Sequence, residues 1–163
     1  CWVRKDKLNV HCPSSNVWFR AMTAITRFED IRAWDIARKL TNRVYSVTRE
    51  GKFAKDFALR DQIRRAAGST MHNIAEGFDA GTDAEFVRFL RYALRSATEV
   101  QSQLYLALDQ QYISDPTFET LYQEAQRLKA SIQAFINYLL SSKGQLREGV
   151  APYLVRSDEL STG

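Results

Sequence analysis

His72 and Glu76 stand four residues apart. On a helix that spacing places two metal-ligand types on one face. A di-iron bundle needs Glu-x-x-His twice. The residues three before His11 and His72 are Leu8 and Ser69, so the motif is absent. Two ligands are too few for a metal, and a surface ion pair between His72 and Glu76 is the favoured account. Nucleophilic chemistry is as poorly supplied. Both cysteines, Cys1 and Cys12, fall in the leading segment, and the remainder holds one histidine to serve a Ser or Thr. The adjacent His11-Cys12 pair lacks the second pair that zinc-finger spacing requires. Gly77-Phe78-Asp79-Ala80-Gly81 matches neither a Walker A loop nor GxGxxG. Asp79 and Asp83 are a carboxylate pair, but acidic residues are favoured at helix starts anyway. The expectation is a protein that is not an enzyme, with no metal and no cofactor.

The arginines offer more. Arg60 and Arg64 are spaced i, i+4, with Arg65 beside them, and Arg88, Arg91 and Arg95 follow i, i+3, i+7. On helices the second set forms one stripe. In an antiparallel hairpin turning near residue 80, Arg65 would lie about level with Arg95, giving one basic surface. Guanidinium forks suit phosphate geometry. Ion pairs with Asp61, Glu85 and Glu99 would equally explain the arginines as a solvated face.

Four apolar stripes position these residues. Residues 26–50 read as a first helix, with Ala33, Ala37, Leu40, Val44 and Val47 on one face and Gly51 as its stop. A second runs from about Asp56 to Glu76, with Leu59, Ile63, Ala66, Thr70 and Ile74 inward. Its small-residue run, Ala66-Ala67-Gly68-Ser69, predicts tight packing at Gly68. Gly77 and Gly81 bracket the exit turn. Thr82-Asp83-Ala84-Glu85 is a capping box for a third helix, whose stripe runs from Phe86 to Ala107. Asp115-Pro116 reads as an N-cap and first-position proline for a fourth. That helix carries its stripe from Phe118 to Leu139 and stops at Lys143-Gly144. Short connections favour antiparallel neighbours, so the fold class is all-α, an up-down-up-down four-helix bundle. Trp34, Tyr45, Tyr92, Tyr105 and Tyr122 exceed what a narrow seam holds, which favours an oligomer interface.

The chain has 163 residues, 45% apolar and 26% charged. One domain with a real core needs no disulfide at this size. The longest apolar run, Leu104–Leu108, is five residues, far short of a membrane span. Residues 1–25 are a non-periodic extension, of which 1–21 are read as an artificial addition or as lying upstream of a natural start at Met22; the alternative is a basic arm that binds nucleic acid. Residues 26–143 form the bundle, and 144–163 are a flexible tail with a Tyr153-Leu154-Val155 patch. The formal charge of +4 divides unevenly: +3 in residues 1–25, +2 in 26–143 and −1 in 144–163. A body free of cysteine fits a reducing, cytoplasmic setting.

Three segments carry a family resemblance: Phe28-Glu29-Asp30-Ile31-Arg32-Ala33-Trp34, then Gln62 to Ser69 leading to Asn73-Ile74-Ala75-Glu76-Gly77, then Glu85 to Leu90 with Ala93, Ser96 and Glu99. Over about residues 26–142 the chain resembles the bacterial four-helix bundle proteins encoded in 23S rRNA intervening sequences. The accessory variability protein of diversity-generating retroelements shares that fold group. The resemblance implies a cytosolic, non-catalytic homopentamer. Its retroelement relative implies binding to RNA or DNA and to a protein such as a reverse transcriptase. Asn73, Glu76 and Gly77 are expected to be structural: Asn73 bonding free backbone groups where helix two ends, Glu76 pairing with an arginine. The expected function is nucleic-acid binding through Arg60, Arg64, Arg65, Arg88, Arg91 and Arg95. The alternative is a protein-binding scaffold with no nucleic-acid contact.

Overall fold

The computed structural model describes residues 25–141. The expectations for the leading extension with Met22, Cys1, His11 and Cys12, and for the tail with Tyr153-Leu154-Val155, lie outside the described residues. Four α-helices make the fold: α1 (Arg32–Val47), α2 (Phe57–Asp79), α3 (Asp83–Asp109) and α4 (Asp115–Ser141). Short 3-10 turns at Phe28–Asp30 and Phe53–Lys55 precede α1 and α2.

Every residue of the predicted α2 and α3 stripes is buried, and so are Ala33, Ala37, Leu40 and Val44 of α1. The α4 stripe is buried from Leu121 onward, with Phe118 half-covered. The core is one continuous cluster spanning all four helices. Within it Phe86 packs edge-to-face on Phe135 at 5.2 Å. Each helix packs on its sequence neighbours, and α1 closes the circle against α4. Cross-helix contacts fix the directions. Thr41 Oγ1 donates to the Ala67 carbonyl, and Arg64 reaches Thr48. Ser96 Oγ donates to Ser69 Oγ, and Lys129 Nζ to Gln101 Oε1. Higher numbers on one helix meet lower numbers on the next throughout, so the bundle runs up-down-up-down.

Several helix ends differ from expectation. α1 does not run unbroken from 26 to 50. Ile31 is extended (φ −75°, ψ 117°), so a separate 3-10 turn precedes the helix. α1 then ends at Val47, where Thr48 leaves helical geometry (φ −93°, ψ 3°) and its hydroxyl donates to the Val44 carbonyl at 2.7 Å. Gly51 adopts φ +68° in the loop beyond, as its left-handed role requires. The Phe118 amide donates to the Ser114 carbonyl, which makes Ser114 rather than Asp115 the residue that opens α4. Pro116 then occupies the second helical position, whose amide has no intrahelical partner in any case.

The sequence contains no glycine signal for the end of α3. There Gln111 adopts φ 55°. The Tyr112 amide reaches the Ala107 carbonyl and the Gln111 amide the Leu108 carbonyl, both at 2.8 Å. This pair of bonds is a Schellman closure, which favours glycine at the left-handed position. Gln111→Gly is therefore expected to stabilise the fold by up to about 1 kcal/mol, checked by urea unfolding. An unchanged or lower midpoint would count against strain at this turn.

Candidate nucleic-acid interface

The six arginines do not share one surface. Arg60 and Arg64 face the α1 side of α2. Arg64 Nε donates to Thr48 Oγ1 at 2.7 Å and Nη2 to the Thr48 carbonyl at 3.0 Å. Thr48 is fully buried, and its carbonyl is one of those a helix leaves unpaired at its C-terminus. The guanidinium fork satisfies it and packs over the Tyr45 ring at 4.8 Å. Arg60 is engaged in a similar way. It donates to the Ala54 carbonyl at 3.0 Å and to Asp61 Oδ1 at 2.8 Å, and lies over Phe57 at 4.6 Å. The hydrogen bond from Arg60, more than any other influence, holds the Asp61 carboxyl below its ordinary range, with further help from the charges of Arg60, Arg64 and Arg65. Arg60 and Arg64 are thus clamps between α2 and the chain before it.

Arg64→Ala is expected to cost about 1.5 kcal/mol or more, because a charge-assisted double hydrogen bond is lost and a buried carbonyl is orphaned. Arg64→Lys should recover only part, since an ammonium lacks the planar fork. Thermal melts of the two variants check both points. Equal melting of Arg64→Ala and wild type would remove the clamp.

Arg65 is exposed on the outer side of α2. Its register differs from expectation. Ser69 meets Ser96, so Arg65 stands opposite about residue 100, roughly one turn beyond Arg95. The α3 stripe is as expected: Arg88, Arg91 and Arg95 are all exposed. Arg88 pairs with Glu85 at 2.7 Å, so the Glu85 carboxylate turns to Arg88 and Thr82 caps α3 alone, through the Glu85 amide. Arg95 lies over the Tyr92 ring at 5.9 Å and lines a groove between α3 and α4. That groove is a shallow, open cleft of about 710 Å³ bounded by Leu94, Arg95, Thr98, Lys129, Ala130 and Gln133.

The charge of this hairpin is segregated along its length. Residues 83–98 and 125–141, its half away from the α3–α4 turn, carry Arg88, Arg91, Arg95, Arg127 and Lys129 against two carboxylates, Asp83 and Glu85, both in the first turn of α3. Residues 99–124, the half at the turn, carry Glu99, Asp109, Asp115, Glu119 and Glu124 and no cation. Whole-body charge hides this division, because the two halves offset each other. Counting charge by hairpin half would have found it. Lys129, Thr98 and Gln133 were missed for a different reason: each is an ordinary surface residue until α4 is laid against α3.

The small structural residues also sit differently from expectation. α2 continues to Asp79, so Asn73, Glu76 and Gly77 lie inside the helix and not at its end. Asn73 Nδ2 donates to the Ser69 carbonyl at 2.7 Å and to Ser69 Oγ at 3.0 Å. Ser69 also receives Ser96, so these three residues stitch α2 to α3. Glu76 and His72 are exposed, and neither forms an ion pair among the described residues. Gly77 is buried against α3. A Cβ there would meet Phe86 Cδ2 at 2.6 Å and Phe89 Cβ at 2.7 Å. Gly68, where tight packing was expected, has only His72 Cε1 near it, at 3.8 Å. The reason is position on the wheel: Gly68 points outward, and Gly77 faces α3.

Of the surplus aromatics, Trp34 and Tyr122 are half-buried, while Tyr45, Tyr92 and Tyr105 are exposed. Tyr105 packs on Phe118 and Tyr122 at the acidic end of the hairpin, beside exposed Leu106. Hydrogen bonding to Tyr122 raises the Tyr105 hydroxyl above its ordinary range. No group of three metal-ligating side chains occurs among the described residues, and none of their helices is long and apolar enough to cross a membrane.

Comparison with known proteins adds three findings. The profile of the 23S rRNA-intervening sequence protein family matches residues 29–134. No curated protein matches. Among solved structures, a protein of unknown function from the S23 ribosomal protein family of Bacteroides thetaiotaomicron VPI-5482 is similar, with a TM-score of 0.60 and 24% identity. The match covers 64% of this chain and 95% of that one, and at this identity it speaks to fold alone.

Proposed function

The chain belongs to the 23S rRNA-intervening sequence protein family, and from that premise we propose that it is a non-catalytic bundle that associates with itself, as a homopentamer, and binds RNA or DNA. The binding surface is the basic half of the α3–α4 hairpin. One observation carries the reading: five cations against two carboxylates, both in the first turn of α3, on residues 83–98 and 125–141. A polyanion recognises local charge within a Debye length of about 8 Å, not the net charge of the chain. Arg60 and Arg64 drop out of the interface because their donors are engaged inside the fold. Arg65 is exposed and extends the surface only at its margin.

Binding should weaken steeply with salt. Three or four phosphate contacts give a slope of log affinity against log salt of about −2 to −4. Fluorescence anisotropy of a labelled RNA hairpin between low and physiological salt measures it. An affinity that does not change with salt would contradict phosphate contact.

A protein-binding scaffold is the second reading. It is supported by the acidic half of the same hairpin, where Tyr105 and Leu106 stand 49% and 50% exposed among five carboxylates. Exposed aromatic and aliphatic side chains at one place fit a protein contact. That half repels nucleic acid, so it is available for a second copy or another protein.

A further inference from the structure

The groove between α3 and α4 lies inside the basic half of the hairpin, and its floor is not basic. Leu94 and Ala130 give it apolar walls, with Thr98 and Gln133 at its edges and Arg95 and Lys129 over its rim. Lys129 is braced by its bond to the buried Gln101, so its charge is held at the groove. The groove, about 710 Å³, is open to solvent along most of its length, so a base would lie with one face against Leu94 and Ala130. Arg91 and Arg88 continue outward from Arg95 along α3, a row about 10 Å long.

Phosphates alone need the arginine row but not the groove. A duplex presents no base face to the groove, because its bases are paired and stacked inside. An unpaired strand can turn a base into the apolar slot while its phosphates follow the row. Single strands are held without sequence reading by base faces resting on a non-polar or aromatic platform beside a cationic track; here Leu94 and Ala130 supply the non-polar contact. We propose that the α3–α4 groove seats an unpaired nucleobase, so that the chain prefers single-stranded over duplex nucleic acid. The inference rests on the basic half being the nucleic-acid surface. Charge complementarity selects the occupant: the groove lining holds two cations and no carboxylate.

The test uses the full chain and four labelled probes: a uridine dodecamer, a thymidine dodecamer, an abasic dodecamer and a twelve-base-pair duplex. The dodecamers with bases should bind about tenfold more tightly than the abasic strand and the duplex. Ala130→Leu, which fills the slot from an exposed helix position without adding a ring for bases to stack on, should remove the preference and leave binding to the abasic strand unchanged. Ala130→Met is the more flexible filler if the leucine variant melts early, and should remove part of the preference. Equal binding of all four probes would overturn the base-seating inference while leaving the basic surface in place. No binding of any probe would overturn both.

Discussion

Gly77→Ala is expected to destabilise the bundle by at least about 2 kcal/mol, the range for overpacking a well-filled interior. The added methyl would lie 2.6 Å from Phe86 Cδ2 and 2.7 Å from Phe89 Cβ. Neither neighbour can give way cheaply. Phe86 is held edge-on between Phe78 and Phe135, and the Phe89 atom is a Cβ fixed to the α3 backbone. Relief requires α2 and α3 to move apart, and this is the most extensive helix pair in the fold. Gly68→Ala is the control. It sits in the same helix with nothing nearer than 3.8 Å, so it should stabilise by up to about 1 kcal/mol through helix propensity alone. At roughly 3 °C per kcal/mol for a chain of this size, the two melting points should separate by about 6–9 °C. If Gly77→Ala melts at or above wild type, the close crossing is not what fixes glycine there.

The second large effect concerns binding. Replacing Arg88, Arg91 and Arg95 together by alanine should lower nucleic-acid affinity by tenfold or more at low salt. It should also flatten the salt dependence by about 2 in slope, because each lost phosphate contact removes roughly 0.7–0.9. The three do not contribute equally. Arg88 already pairs with Glu85, so Arg91 and Arg95 should carry most of the change. Stability should move by no more than about 0.5 kcal/mol per site, since all three are exposed. Anisotropy, thermal melting and light scattering on the same sample separate the two readings. Unchanged affinity with a smaller particle mass would assign these arginines to subunit contacts and favour the scaffold.

Arginine spacing made six residues look equivalent in sequence, and their partners made them unlike. Arg64 reads as a surface cation because Thr48, sixteen residues earlier, gives no sign of being its acceptor. Arg88, Arg91 and Arg95 could be read correctly because their relation is internal to one helix. The same division holds for the small residues. Ser69, Asn73 and Ser96 were visible as a pattern, but the bond from Ser96 to Ser69 exists only once α2 and α3 are in register.

The chain's own residue order determined the four helices, their inward faces and the all-α class. These follow from periodicity, which is a property of neighbours three and four positions apart. Local chemistry also fixed the caps at Asp56 and Thr82, whose side-chain oxygens receive amides three residues on. What the tertiary structure alone decided is which glycine faces a neighbour, which arginines have donors to spare, and which charges lie together. Those outcomes depend on the rotation and register of helices far apart in sequence. Here they turned a nearly balanced body into a hairpin with one basic and one acidic half.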